Sequence, residues 1–370
     1  MRIVVVEINN IIEFPPVVTL IRTLSRQGHE VILISRGINL LPAEVLKSKI
    51  EFHELGVDDQ KKGILGIAEK LQLIRLTKKT VEECMVGADV LWTTSANTLK
   101  ALRGHVNKYK NVMQLMELVD ELFLYHGHFR LSIKKIAQKS WKIVVPEINR
   151  AFIEQSWWGL DTLPYVLPNK PFDLNCGELS ADALAAIELM KKDKRKKIIY
   201  LGGIWPDRDL SGFAETIKNM SDYALYIVGK AYGIGEKHLK ILVNKYDAIY
   251  LGEYKAPQHL AFLNYARIGL LPYKASKSFD VSPLNALYCA PNKIYEYSGF
   301  GIPMIGSYVP GLIMPFEKYN IGYCCDSDNL EMIEYAIQQI DANYEVMSNN
   351  CKRFYDATDT DHIVSDILAI

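Results

Sequence analysis

The sequence predicts an α/β protein with two Rossmann-like domains, each built on a doubly wound parallel sheet. Short apolar runs rich in β-branched residues alternate with amphipathic helical stretches along most of the chain. A Pro-Asn-Lys-Pro segment at 168–171 interrupts this alternation, which then begins again. A length of 370 residues also favours two domains over one. We therefore expect domains at 1–170 and 171–345, followed by a helical segment at 346–370 that packs back on the first domain.

Composition and charge exclude several classes of protein. Lysine plus arginine and aspartate plus glutamate each number 43, and the resulting net charge of zero argues against nucleic acid as the main partner. No run approaches the roughly 18 apolar residues of a membrane-spanning helix, and the apolar run at 3–6 is too short for a signal peptide. The six scattered cysteines form no C-x-x-C pair, so we expect reduced core thiols in a cytoplasmic protein.

The first domain opens with a βαβ unit. Residues 3–6 predict a strand that is buried on both faces, and Pro15 opens a helix whose apolar positions follow the 3.6-residue period. Gly28 ends that helix, and 29–35 predicts the next strand, so the two strands should be parallel with a right-handed crossover. The unit lacks G-x-G-x-x-G, which disfavours a dinucleotide at its first turn.

The remaining strands of the first domain are predicted at 50–52, 89–92, 112–115, 141–145 and 165–167, and a long helix at 64–86. Glu117 and Asp120 follow the strand at 112–115, where acids can serve a bound substrate; loop or helix-cap roles account for them equally well. The segment 130–142 carries five basic residues among apolar ones. That pattern suits either a core-packed helix or an anionic membrane surface.

The second domain repeats the alternation. Strands are predicted at 198–201, 224–228, 248–251 and 268–271. Gly202-Gly203 and Gly229-Lys230 follow two of these strands, and Arg208 lies in the loop after the first glycine pair. Glycines at a strand end let a backbone approach a diphosphate, which an arginine can bind through two hydrogen bonds. A tight strand-to-helix turn would need the same glycines.

The segment 290–307 contains the densest group of candidate functional residues. Pro291 suits the first turn of a helix, and Lys293 and Glu296 lie three apart, so they share one face of that helix. Gly299 and Gly301 should end the helix before a short strand at 304–305. The pattern is also compatible with a surface Lys–Glu pair that contributes only a few tenths of a kcal/mol.

This segment resembles the nucleotide-binding segment of GT-B glycosyltransferases, especially glycosyltransferase family 4 and its bacterial relatives that build surface polysaccharides. Their pattern Pro-x-Lys-(x2)-Glu-Tyr-(x3)-Gly-x-Pro is matched by Pro291, Lys293, Glu296, Tyr297, Gly301 and Pro303. The segment Arg-Gln-Gly-His-Glu-Val at 26–31 resembles the first βαβ unit of the same enzymes. The resemblance implies the GT-B fold, in which two Rossmann-like domains face a cleft.

The resemblance also implies site residues. Glu296 would bind the ribose hydroxyls of a nucleotide sugar, and the glycine loop would lie near the diphosphate, with Lys293 and Arg208 supplying positive charge. The residues expected to bind the donor are Gly202, Gly203, Arg208, Lys230, Asn292, Lys293 and Glu296. The residues expected to act in catalysis are Glu117, Asp120 and Lys293.

By the same resemblance, the chain would be a glycosyltransferase of the hexosyltransferase type. It would move a sugar from a nucleotide-diphosphate sugar to a saccharide or lipid-linked acceptor in surface polysaccharide synthesis, with retention of stereochemistry and without a metal. Peripheral contact with the inner face of a membrane fits such an acceptor. Many family members carry a second glutamate, which would fall at Tyr288 here. That departure permits one alternative, a non-catalytic binding subunit of a polysaccharide assembly complex. A second alternative is a GT-B sugar-nucleotide epimerase, which uses the same fold without an acceptor.

Metal sites are disfavoured by the spacing of the candidate ligands. His126 and His128 lie two apart on a possible strand without a third ligand nearby. Two D-x-D pairs, at 326–328 and 359–361, lie late in the chain and away from the predicted strand ends that would support metal binding. We expect no bound metal and no cofactor beyond the donor substrate.

Overall fold

The computed structural model describes residues 1–56, 63–119, 121–124, 129–205, 208–275 and 282–369, which form two compact units. The first consists mainly of Met1–Phe172 and the chain from Asp359 onward, and the second of 173–275 and Pro283–Thr358. The chain thus leaves the first unit close to the predicted boundary at 170. The predicted segment 346–370 does not belong to one unit, since its residues through Thr358 belong to the second and the rest to the first.

The first unit is built on a seven-stranded sheet in the order β3-β2-β1-β4-β5-β8-β9, in which every strand pair is parallel. Its strands are β1 (Arg2–Asn10), β2 (Glu30–Arg36), β3 (Ile50–Glu54), β4 (Val90–Thr93), β5 (Asn111–Gln114), β8 (Lys142–Val145) and β9 (Tyr165–Val166). A separate antiparallel hairpin is formed by β6 (Leu122–Leu124) and β7 (Phe129–Leu131). Along β1, Ile3 and Val5 enter one hydrophobic core while Val4 and Val6 enter the other, so the strand is buried on both faces as predicted.

Helices cover both faces of this sheet. They are α1 (Pro15–Arg26), α2 (Ala43–Leu46), α3 (Gly63–Cys84), α4 (Ala96–Leu102), α5 (Ile133–Ala137), α6 (Ile148–Trp158) and α15 (Thr360–Leu368), with 3-10 turns at Ile11–Glu13, Ile38–Leu40 and Arg103–Lys108. Pro15 and Pro16 occupy the first turn of α1, where their missing N–H groups cost nothing. Arg26 near the end of α1 pairs with Asp361, which fixes the C-terminal helix α15 to this unit.

The second unit has a six-stranded, all-parallel sheet in the order β12-β11-β10-β13-β14-β15. Its strands are β10 (Lys196–Leu201), β11 (Tyr223–Val228), β12 (Ile249–Gly252), β13 (Ile268–Leu271), β14 (Met304–Ser307) and β15 (Gly322–Cys325). The chain runs outward from β10 to β12 and then returns to the other side of β10 with β13. The strand order therefore reverses between β10 and β13, which is where doubly wound sheets bind ligands.

The helices of the second unit lie on both sides of its sheet. They are α7 (Ala181–Lys192), α8 (Ser211–Lys218), α9 (Ile234–Tyr246), α10 (Leu284–Leu287), α11 (Asn292–Gly299), α12 (Pro310–Tyr319), α13 (Leu330–Ala342) and α14 (Tyr344–Ala357), with a 3-10 helix at Gln258–Tyr265. Ile199 and Leu201 of β10 enter one core, and Ile198 and Tyr200 enter the other. The doubly wound α/β prediction is thus confirmed for each unit.

Two predicted helices differ in the structure. The stretch 346–370 is not one helix, because Asp359 adopts extended backbone and caps the next helix by accepting a hydrogen bond from the His362 N–H. The basic segment 130–142 is not one helix either, since it is shared among β7, the five-residue α5 and β8. Ile133, Ile136 and Ala137 of α5 are buried, which agrees with the core-packed interpretation of that segment.

The structure bears on two further features that the sequence analysis considered, membrane-spanning helices and the state of the cysteines. No helix in these residues has the length and apolar character required to cross a bilayer. All six cysteines lie within the described ranges and are free thiols, four of them buried. Burial raises the pKa of the Cys351 thiol to about 12, so it is protonated near neutral pH and packs as a small apolar side chain.

One buried acid in the first unit lacks partners. Glu154 on α6 is 1% exposed, and neither carboxylate oxygen has a hydrogen-bond partner among the described residues. Burial raises the pKa of Glu154 well above its ordinary value, and the positive charge of Arg150, one turn earlier, offsets part of that rise. Ionising Glu154 therefore costs folding free energy.

We predict that Glu154→Gln stabilises the protein at about pH 8 and that this gain shrinks as the pH falls toward about 5. Because the folded-state pKa of Glu154 is raised, the stability it contributes is fully present below its unfolded pKa of about 4.3 and is lost as the pH rises through the folded pKa, by at most about 1.4 kcal/mol per pH unit. Urea unfolding of both proteins at several pH values measures the difference.

The control for this experiment is Glu178→Gln, which changes an exposed glutamate in the same way. Its stability relative to the wild type should not depend on pH. If the difference in unfolding free energy between Glu154→Gln and the wild type stays constant from about pH 5 to pH 8, the pKa of Glu154 is not raised and the prediction is wrong.

Candidate functional site

The candidate site lies at the carboxyl edge of the second sheet, where two glycine loops pack backbone against backbone. Gly202 follows β10 and Gly229 follows β11, with φ of 128° and 137°, a region that strongly favours glycine. A Cβ on Gly229 would lie 2.1 Å from the carbonyl oxygen of Gly202. The predicted glycines are therefore required by the turn itself, where their missing side chains allow close packing.

Lys293 reaches the first of these loops. A Cβ on Gly202 would lie 2.9 Å from Lys293 Nζ, so the ammonium group fills the space that the glycine leaves. The same ammonium group lies 5.5 Å from the ring centroid of Tyr200, whose hydroxyl donates to the Gly203 carbonyl at 2.7 Å. A positive charge is thus held beside a glycine turn at a strand end, an arrangement suited to a phosphate group.

The helix α11 that carries Lys293 is fixed to the sheet by a buried tyrosine. The Tyr297 hydroxyl accepts a hydrogen bond from the Leu201 N–H at 3.1 Å and lies 3.5 Å from the carbonyl oxygens of Ile199 and Leu270. Its ring lies over Gly269 of β13, where a Cβ would come within 2.5 Å of the ring. Tyr297 therefore inserts between β10 and β13 at the point where the strand order reverses.

Glu296 is buried beside that tyrosine and is not a surface residue. It is 7% exposed, and its nearest polar neighbour among the described residues is His259, whose Nε2 lies 3.5 Å from Oε1. Burial alone would raise the pKa of Glu296, but His259 and the charge of Lys293 together lower it below its ordinary value. The carboxylate is therefore ionised at neutral pH. The alternative of an exposed Lys–Glu pair does not fit this burial.

The helix differs slightly from the prediction. Pro291 is extended and precedes the helix, which begins at Asn292 and includes Gly299 as its last residue. Gly301, with φ of 69°, makes the turn that follows. Because the start moves by one residue only, Lys293 and Glu296 still lie in consecutive turns of the same helix.

The other predicted donor-binding residues lie around this edge. The Arg208 guanidinium stacks 4.0 Å above the ring of Tyr273, the second residue after β13. The exposed Lys230 lies directly after Gly229, with its ammonium group 5.4 Å from the ring of Tyr232. Asn292 is half-buried as the first residue of α11. The structure thus assigns the seven predicted donor-binding residues to strand ends and to one helix of the second unit.

The predicted catalytic acids belong to the first unit. Glu117 is exposed two residues after Leu115 at the end of β5, and Asp120 lies outside the described residues. His126 and His128 lie outside them as well. The D-x-D pairs have structural partners: Asp328 pairs with Lys274, Asp361 pairs with Arg26, and Asp359 caps α15. Within the described ranges, no three histidine, cysteine or acidic side chains are grouped as metal ligands would be.

Sequence reasoning missed a buried acid at the carboxyl edge of the first sheet. Glu7 lies in the buried part of β1 and accepts hydrogen bonds from the hydroxyls of Thr94 and Ser95 and from the N–H and side-chain amide of Asn9. Burial raises the pKa of Glu7, and these four hydrogen bonds partly lower it again. A glutamate within a β-branched run was the available sequence signal.

Two further features of the second unit carried little signal in the sequence. His259 belongs to an ordinary amphipathic stretch, and only the fold brings it beside Glu296. Trp205 and Tyr232 follow the two glycine loops, and their rings stack with centroids 4.1 Å apart and planes within 6° of parallel. Trp205 remains 45% exposed, so an aromatic face lies open next to Gly203.

No protein-family model matches the chain, and no curated protein does either. Among solved structures, sucrose-phosphate synthase from Thermosynechococcus elongatus is similar, with a TM-score of 0.69 at 14% identity over 99% of this chain and 94% of that one. HepE (Alr3699) from Anabaena in complex with UDP and glucose gives 0.69 at 14% identity over 99% and 98%. WaaG, a glycosyltransferase involved in lipopolysaccharide biosynthesis, gives 0.63 at 11% identity over 99% of both chains. At such identities the likeness establishes the fold, and the chain has the GT-B fold, as predicted.

We predict that Tyr297→Phe lowers the free energy of unfolding by about 1–3 kcal/mol, because it leaves the buried N–H of Leu201 without its acceptor. The ring stays in place over Gly269, so the fold should persist. Urea unfolding at neutral pH measures the change. Tyr308→Phe, which removes a hydroxyl from a side chain that is 66% exposed, should change stability by less than about 0.5 kcal/mol. Equal stability of Tyr297→Phe and the wild type would show that the hydroxyl does not hold α11 to the sheet.

Proposed function

We propose that this protein is a glycosyltransferase that moves a sugar from a nucleotide-diphosphate sugar to a saccharide or lipid-linked acceptor. The observation that carries the proposal is the pairing of Lys293 and Glu296 on α11, at the strand reversal of the second sheet. One side chain presents positive charge at a glycine turn, and the other is a buried, ionised carboxylate. These two groups match the two ends of a nucleoside diphosphate that must be bound. The cation suits the phosphates, and the carboxylate can accept hydrogen bonds from the ribose hydroxyls.

The carboxyl edge of the second sheet around Gly202, Gly203 and Gly229, here called the glycine edge, carries groups that a leaving diphosphate requires. In the transfer, the bond between the sugar carbon and the diphosphate oxygen breaks, and a bond to the acceptor oxygen forms. Negative charge grows on the diphosphate as it leaves, and Lys293 and Arg208 would stabilise that charge in the transition state. The acceptor hydroxyl must lose a proton, which can pass to the departing diphosphate or to an acid of the first unit. We assign the second role to Glu117 and Asp120.

Uridine is the first base to test, because HepE was solved with UDP and glucose. A role in surface polysaccharide synthesis is proposed by analogy with WaaG and with the motif at 291–303. Retention of stereochemistry at the sugar carbon belongs to the same proposal. With a lipid-linked acceptor, the protein would work in the cytoplasm at the inner face of a membrane, and the basic residues of 130–142 are the candidates for that peripheral contact.

We predict that Glu296→Gln lowers the affinity for the donor nucleotide about tenfold to a hundredfold. The change keeps the shape of the side chain but removes the charge, and a hydrogen bond to a charged group contributes roughly 1.5–3 kcal/mol. Calorimetric titration with UDP, GDP, ADP and CDP identifies the base and measures the loss of affinity.

Transfer assays with the matching nucleotide sugar should show nucleotide release that depends on an added saccharide or lipid-linked acceptor.

The matched control is Glu317→Gln, which alters an exposed glutamate on α12 of the same unit. It should bind nucleotide like the wild type. Wild-type affinity in Glu296→Gln would reduce Glu296 to a structural residue, and isomerisation of the donor without any acceptor would contradict the transferase proposal.

We predict that sugar transfer survives removal of divalent metal. Lys293 and Arg208 supply the positive charge that a metal would otherwise provide. Turnover measured with and without excess EDTA should agree within about twofold. Complete loss in EDTA that Mg²⁺ or Mn²⁺ restores would contradict the proposal of metal-free transfer.

A further inference from the structure

His259 lies beside the carboxylate that the proposed donor site depends on. Its Nε2 lies 3.5 Å from Glu296 Oε1, at the outer limit of a hydrogen bond. It stands on the 3-10 helix Gln258–Tyr265, whose side chains Leu260, Phe262 and Leu263 are buried in the core. The imidazole is therefore carried on a firmly packed element and has little freedom to move away from Glu296.

The surroundings of the ring select its tautomer. Nδ1 is buried and has no hydrogen-bond partner among the described residues. A proton on Nδ1 would leave a buried donor unpaired and would aim the Nε2 lone pair at a carboxylate. With the proton on Nε2, the donor is the ring nitrogen that lies 3.5 Å from Glu296 Oε1, and Nδ1 is only an unused acceptor, which is the less costly arrangement. The ring thus faces Glu296 with a hydrogen-bond donor.

Among the described residues, Glu296 has one side-chain donor, His259, at one of its two oxygens, which orients the carboxylate without saturating it. Each carboxylate oxygen accepts about two hydrogen bonds, and the contact nearest to Glu296 uses Oε1. Lys293 contributes charge from one turn away and also contacts the glycine loop. The capacity that remains suits the paired hydroxyls of a ribose.

We propose that His259 is a positioning residue that fixes the Glu296 carboxylate and thereby makes the site selective for ribonucleotides over 2′-deoxyribonucleotides. This inference rests on the proposed function, because it assigns the ribose to Glu296. It adds a residue outside the 291–303 motif and a specificity that the motif alone does not require. Without the imidazole, the Glu296 carboxylate would turn toward Lys293 and would no longer be oriented to accept hydrogen bonds from the ribose hydroxyls.

The test uses the tightest binder among UDP, GDP, ADP and CDP, together with its 2′-deoxy counterpart. Calorimetric titration of the wild type should give an affinity about tenfold to a hundredfold higher for the ribonucleotide, the range expected for a hydrogen bond to a charged group. His259→Phe keeps a ring but removes the donor, and it should lower ribonucleotide affinity about tenfold while leaving 2′-deoxynucleotide affinity within about threefold. His259→Gln restores an N–H donor and should recover the wild-type preference within about threefold.

Two controls separate positioning from packing. Gln258→Ala alters the neighbouring side chain on the same helix and should leave both affinities unchanged. In the double variant His259→Phe with Glu296→Gln, the losses should not add, because both changes remove the same contact. Additive losses, or an equal loss for both nucleotides in His259→Phe, would overturn the inference by showing that the ring supports only the fold.

The remaining outcomes distinguish this inference from the proposed function. If the wild type prefers the ribonucleotide and His259→Phe keeps that preference, the role of His259 is overturned while the donor site stands. If the wild type binds none of the four nucleoside diphosphates, the proposed function is overturned and the role of His259 falls with it.

Discussion

The Tyr297 hydroxyl accepts the N–H of Leu201 between two strands of the second sheet, and the geometry of the candidate site depends on that hydrogen bond. The strands β10 and β13 belong to opposite halves of the strand order, so a gap exists where they part. A fully buried tyrosine fills the gap and fixes the register of α11 against both strands. Tyr297 thereby holds α11 in place. On the same helix, Lys293 reaches the glycine loop and Glu296 lies beside His259.

This arrangement explains why a charged carboxylate can remain buried. An ionised acid in a protein interior is costly unless hydrogen bonds or opposite charges compensate it. Glu296 receives a donor from His259 and charge from Lys293, and the pKa of Glu296 is lowered although burial alone would raise it. Glu154 in the first unit has the charge of Arg150 nearby but no hydrogen-bond partner among the described residues, and its pKa is raised well above the ordinary value. The contrast shows that the surroundings of Glu296 keep it ionised, as the proposed ribose binding would require.

Periodicity and strand-end glycines were enough to predict the two doubly wound sheets, because a buried parallel strand needs apolar residues on both faces and its turn needs glycine. The spacing of Lys293 and Glu296 likewise predicted a shared helix face. His259 could not be predicted, since a contact between residues 37 positions apart depends on how a 3-10 helix packs. The break at Asp359 and the division of 130–142 were missed because local capping and strand pairing override helical periodicity there.

The central claim is that the glycine edge and α11 together hold a nucleoside diphosphate. A crystal structure of the protein with the best-binding nucleoside diphosphate tests this most directly. The account predicts the diphosphate beside Gly202, Gly203 and Lys293, and at least one ribose hydroxyl within about 3.2 Å of a Glu296 carboxylate oxygen. A nucleotide bound elsewhere, or one bound at this edge with its ribose turned away from Glu296, would contradict it.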